Sequence, residues 1–125
     1  MRTVLRVVMR VLIVTLLAVL LLIVLCFVKS AELKMLAGEE GIPIMYCSMD
    51  VIKTHPVVNK EKGALGMYIR KGNNELIVIN TDYIYDPIIL AHELGHKYAI
   101  QYEGDRSEEA AWRIAVMLLL CGINK

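Results

Sequence analysis

Cysteine is scarce in this chain: three in 125 residues, at positions 26, 47 and 121. Three cysteines exclude the disulfide framework that staples many small secreted folds. Cys26 lies in an apolar run; Cys47 and Cys121 could pair in an oxidising compartment, but two buried free thiols are the expectation. Acidic side chains are missing from residues 1–30, which carry Arg2, Arg6, Arg10 and Lys29 and sum to +4. The remainder holds 10 Lys and Arg against 13 Asp and Glu and sums to −3. That split implies two physical environments. A basic stripe is also lacking, so the composition implies no nucleic-acid partner. There is neither an internal repeat nor a low-complexity linker. About 95 residues follow the basic start, enough for one small core that a bound metal would help to stabilise.

What is present is first a hydrophobic run. Val11 to Val28, "VLIVTLLAVLLLIVLCFV", holds no charge, and Thr15 is its one conventional polar residue. Eighteen such residues rise about 27 Å as a helix, close to the roughly 30 Å hydrocarbon core of a bilayer. The arginines of "MRTVLRVVMR" can snorkel into the headgroup layer. A secretory signal has a shorter apolar region, and "VKSA" (28–31) is a poor small-residue cleavage site. Residues 1–30 are therefore read as a retained anchor, with residues 11–28 in the lipid bilayer. The cationic flank places the N-terminus in the cytoplasm and residues 31–125 on the other side.

Behind the anchor the pattern predicts an α+β domain over residues 31–125. "SAELKMLAG" (30–38) reads as a helix continuing the span, and "GIPIMYCS" (41–48) as a strand with Pro43 near its start. Residues 49–63 read as irregular, with His55 an exposed loop histidine. "ALGMYIR" (64–70) and "ELIVIN" (75–80) flank "KGNN", a hairpin signal. Asp86 suits an N-cap and Pro87 the first position of a helix that stops at Gly104. Ser107 suits the N-cap of a last helix, 108–121.

Two of the three histidines lie four apart in "IILAHELGHKYAI", residues 88–100. His92 and His96 thus share one helix face, one turn apart, and can reach a single tetrahedral ion. Glu93 is turned about 100° from His92 and can act on a water beside that ion. This is the H-E-x-x-H arrangement of zinc hydrolases, with glutamate as general base. Gly95 costs about 1 kcal/mol of helix stability relative to alanine, which implies close approach of another backbone. A third protein ligand is required. The candidates are Glu108 and Glu109 in the last helix. On a helical projection Glu108 shares a face with Ala111, Trp112, Ala115 and Leu119, whereas Glu109 turns towards Arg113, so Glu108 is the favoured third ligand and Glu109 the alternative.

These residues resemble a known family. The run "EEGIPIMYCSMDVI…GALGMYIRKGNNELIVINTDYIYDPIILAHELGH…EEAAWRIAVMLLL" is similar in pattern to the gluzincin-like ImmA/IrrE-type zinc metallopeptidase domain, over roughly residues 36–120. The resemblance implies Zn2+ as cofactor, His92 and His96 as ligands, Glu93 as catalytic glutamate, and Glu108 or Glu109 as third ligand. Laying the family's helix pattern on "RIA…LL" would put Ala110 at the ligand position. The family's best-known members are soluble and act on cytoplasmic repressors, often in phages or mobile elements.

The resulting expectation is a membrane-anchored zinc endopeptidase acting on a protein or peptide substrate. Strand 75–80 would be the sheet edge that pairs with extended substrate. Tyr83, Tyr85, Tyr98 or Tyr102 would donate to the oxyanion. The alternative is a zinc-stabilised, membrane-tethered binding module that sequesters a partner without turnover. A third reading is a small membrane protein whose anchor does the work.

Overall fold

The structure is a computed structural model and describes residues 1–48 and 65–121. Neither proline nor glycine interrupts the chain before Gly38, and Arg2–Glu39 form one continuous helix, α1. At 1.5 Å per residue it is about 57 Å long. Thr15 Oγ1 donates to the Val11 carbonyl at 2.7 Å, so the polar side chain of the apolar run is satisfied inside its own helix. Residues 1–28 are exposed. The most apolar eighteen-residue window has a mean hydropathy of 3.5 and none of it is buried. By length and composition α1 can cross a membrane.

The C-terminal turns of the same helix enter the core of the domain. Ser30, Leu33 and Ala37 are buried, a spacing of three and four residues that lays one stripe against a neighbour. The expectation that 30–38 continues the span is met. Gly41 then turns the chain at φ 71, and Ile42 N–H donates to the Ala37 carbonyl at 2.8 Å.

Three strands follow: β1, Ile44–Cys47; β2, Gly66–Lys71; and β3, Asn74–Asn80. β2 and β3 form the expected antiparallel hairpin, in register from Gly66 opposite Ile79 to Lys71 opposite Asn74. Gly72 supplies the left-handed turn position at φ 64. β1 pairs in parallel with β3, Ile44 opposite Ile77. The strand order is β1-β3-β2, which corrects the reading of 75–80 as an edge: β3 is central. The physical reason lies in its composition. Leu76, Ile77, Val78 and Ile79 run without polar alternation, as in a strand covered on both faces. Ile77 and Ile79 join the main core, while Leu76 and Val78 pack with Cys47, Met67 and Ile69 on the other face.

α2 spans Pro87–Tyr98, with the Asp86 carboxylate accepting from Ile88 N–H at 2.8 Å. The helix widens into a π turn over Ala99–Glu103 and stops at Gly104, φ 63. α3 spans Glu108–Leu120, and the Ser107 hydroxyl accepts from Ala110 N–H at 3.2 Å. Both caps and the stop at Gly104 match the sequence reading. Cys26, Cys47 and Cys121 are free, but Cys121 is exposed and Cys47 half-buried, so the expected burial of both thiols does not hold. Cys121 lies past Leu118, the last buried residue of α3. His55 lies outside the described residues.

α2 runs beside α1 and parallel to it. Phe27 of α1 packs on Tyr85, just before α2, with ring centroids 5.0 Å apart. Glu40, just past α1, accepts from the Tyr98 hydroxyl at 3.2 Å. Phe27 to Glu40 and Tyr85 to Tyr98 are equal lengths of chain, so the two helices keep step.

Candidate metal centre

The site is built where α2 and α3 pack. Helical spacing stacks His92 over His96 on α2, with ring centroids 4.7 Å apart and planes at 76°. α3 brings Glu108 across from its first turn. Glu108 Oε2 lies 2.8 Å from His92 Nε2, and Oε1 lies 3.1 Å from His96 Nε2. One donor atom from each residue falls within 4.8 Å of the others, close enough for the three to hold a metal ion. Two metal bonds of 2.0–2.1 Å meeting at a tetrahedral angle separate their donors by roughly 3.4 Å. The observed spacings are on that scale. Two imidazole nitrogens and a carboxylate oxygen also form a donor set that suits zinc chemically.

Two features allow this approach. Gly95, between the histidines, faces the backbone of α3: a Cβ there would lie 2.2 Å from the Ala111 carbonyl oxygen. The close contact inferred from the cost of that glycine is thus with Ala111, and buried Ala110, Ala111 and Ala115 keep the α3 side of the interface small. The second feature is the start of α3. Asp105 accepts from Ser107 N–H at 2.8 Å, and that bond holds the Asp105 carboxyl below its ordinary range. Ser107 then caps the helix and sets Glu108 as its first residue.

Of the two glutamates, the one the helical projection favours, Glu108, meets the histidines. Glu109 is exposed and lies near Arg113, whose guanidinium pairs with Glu103 in the π turn. Ala110 is buried and carries no donor. The histidine side chains are recessed, at 12% and 15% exposure, while Glu108 stands at the mouth at 60%.

Glu93 is buried, at 5% exposure. It lies on the α2 side that faces β2, where a Cβ on Gly66 would come 3.4 Å from Glu93 Cγ. Gly66 and Trp112 escaped the sequence reading as site residues. The Trp112 ring packs on His92, centroids 4.2 Å apart, and fixes that imidazole from the α3 side. Its signal was its place one turn after Glu108 on the same face. For Gly66 no local signal exists, because its role depends on α2 lying across β2.

The tyrosines offered as alternative oxyanion donors make other contacts. Tyr98 donates to Glu40, and Tyr102 stacks on Tyr98 with centroids 6.0 Å apart. Tyr85 lies against Phe27 and under the Lys34 ammonium. Tyr83 packs on the main core. No known protein family, curated protein or solved structure matches the chain.

Proposed function

We propose that this protein is a membrane-anchored zinc endopeptidase of the ImmA/IrrE type, held in the bilayer by residues 11–28. The observation that carries the reading is the meeting of Glu108 with both histidines of an H-E-x-x-H helix, at 2.8 and 3.1 Å. His92, His96 and Glu108 would hold the ion. Zinc, when bound, supplies Lewis-acid polarisation of the scissile carbonyl and lowers the pKa of water. Glu93 takes the proton of the attacking water and passes it to the leaving amine. A purely structural zinc site favours four closed protein ligands and has no use for such a glutamate.

The strand that pairs with extended substrate is β2 rather than β3. Among the described residues β3 has a partner on each side, whereas β2 pairs with β3 along one side only. β2 also borders Glu93 through Gly66. Main-chain pairing along β2 would place a peptide beside the general base.

The test is metal content followed by hydrolysis. The full-length chain in detergent should bind a single equivalent of zinc. His92→Ala and Glu108→Ala should lose it, and Glu93→Gln should keep it while losing hydrolysis of a degenerate peptide library by about 100-fold or more. Zinc retained with no hydrolysis by the unmodified chain would assign a binding module without turnover instead.

A further inference from the structure

We infer that the scissile bond this site accepts lies in a peptide segment held at the bilayer surface, the juxtamembrane stretch of another membrane-anchored chain. The inference rests on the hydrolase reading above and adds its substrate class. Three observations carry it.

The first is the absence of any joint between span and site. α1 passes without a break from the exposed apolar run into the core, where Ser30, Leu33 and Ala37 are buried. A helix buried at one end and embedded at the other is an arm of set length. The domain cannot drift from the bilayer as it would on a flexible linker.

The second is height. α1 and α2 keep step from Phe27 beside Tyr85 to Glu40 beside Tyr98. By that offset His92 and His96 lie level with Lys34 and Gly38. Those positions are roughly 9–15 Å beyond Val28, the end of the apolar run, at 1.5 Å per residue. The headgroup layer takes up about 5–8 Å of that distance. A tilt of about 20° changes the height by only a few per cent. An extended chain rising about 3.3 Å per residue covers the same distance in roughly three to five residues.

The third is the base of the domain. Tyr85 is 62% exposed, Ile88 47% and Phe27 49%. The Lys34 ammonium sits over the Tyr85 ring at 5.4 Å, and Lys29 follows the span directly. Exposed aromatic and apolar side chains with lysines are the composition of a membrane–water interface. They seat the start of α2 on the lipid surface, so the site above it faces chain emerging from the bilayer.

The experiment uses the full-length chain in phosphatidylcholine vesicles with synthetic single-span reporters. Each reporter carries a degenerate ten-residue cassette at both ends, so its orientation does not matter. In one reporter the cassette adjoins the span. In the other an eighteen-residue helical spacer of repeated Glu-Ala-Ala-Ala-Lys sequence lifts it by about 27 Å. The adjoining cassette should be cut at least about tenfold faster, with cuts mapping about three to five residues outside the span. A second protein carries eighteen alanine-rich residues between Val28 and Lys29, about five whole helical turns, which raise the domain without rotating it. It should keep its zinc and reverse the preference. Equal rates on both reporters, no reversal in the raised protein, or an intact mass showing that the span has been removed would each overturn the inference. Hydrolysis of the free cassette in detergent, compared with Glu93→Gln, separates the failures. If that control shows cleavage, the hydrolase reading survives and a soluble substrate is indicated; if it shows none, both fall.

Discussion

Gly95 shows how one residue sets the geometry of the centre. Replacing it with alanine would gain about 1 kcal/mol of helix propensity. The added carbon would meet the Ala111 carbonyl oxygen at 2.2 Å, and overpacking of that kind costs about 1–3 kcal/mol. α3 must shift, and Glu108 shifts with it. Gly95→Ala should therefore lower the thermal midpoint and weaken zinc affinity by about tenfold or more, measured by thermal unfolding and competition with a chelator. The glycine was legible as an anomaly in the sequence; what it accommodates was not, because a helix pattern carries no address for its partner.

Two tyrosines bear on stability at high pH. Burial pushes the phenols of Tyr68 and Tyr98 up, and the carboxylates of Glu75 and Glu40 add to the effect. Both are raised from an ordinary 10.0, so above about pH 10 the unfolded chain releases protons that the fold retains. Their contribution is complete below that pH, and stability falls as pH rises through it. Absorbance near 295 nm should show the Tyr68 and Tyr98 phenolates appearing only with cooperative unfolding. Tyr68→Phe should move that unfolding to higher pH, followed by circular dichroism.

Among the elements, the sheet and α2 are joined by a buried ion pair. Lys97 Nζ lies 3.2 Å from Glu75 Oε2 and 3.1 Å from Gln101 Oε1, with the Lys97 side chain 7% exposed and that of Glu75 16%. Glu75→Gln leaves the ammonium buried with neutral partners. That should cost about 3 kcal/mol in urea unfolding of the detergent-solubilised chain. A compensating Lys97→Met should restore most of it, since removing both charges removes the desolvation cost. Element existence was largely readable: Asp86 and Pro87 announce α2, Ser107 announces α3, and Gly72 marks the hairpin. Strand order was not. The apolar run 76–79 marks a strand covered on both faces but names no partner, and β1 reaches β3 across a long intervening chain.

For the whole molecule, the arginines before the span set an expectation for its orientation. Arg2, Arg6 and Arg10 outnumber Lys29 and Lys34 at the two ends. With the N-terminus in the cytoplasm, exposed Cys121 lies on the opposite side. A membrane-impermeant maleimide should then label Cys121 in intact cells and lose that label in Cys121→Ser. Labelling that requires lysis would reverse the orientation.

Local patterns determined the apolar helix, the caps and the H-E-x-x-H face, because hydrogen bonds and side-chain periods within a few residues suffice to specify them. Only the packing of α3 on α2 decided that Glu108, not Glu109, meets the histidines. The two are adjacent in sequence and both suit a first helical turn. They differ only by rotation about an axis whose placement depends on Gly95 and Ala111, far apart along the chain. Likewise the sequence alone marked an apolar helix and a domain. That the helix continues into the domain's core follows from Leu33 and Ala37 of α1 being buried with Leu90 and Leu94 of α2, a contact between segments that no local pattern encodes.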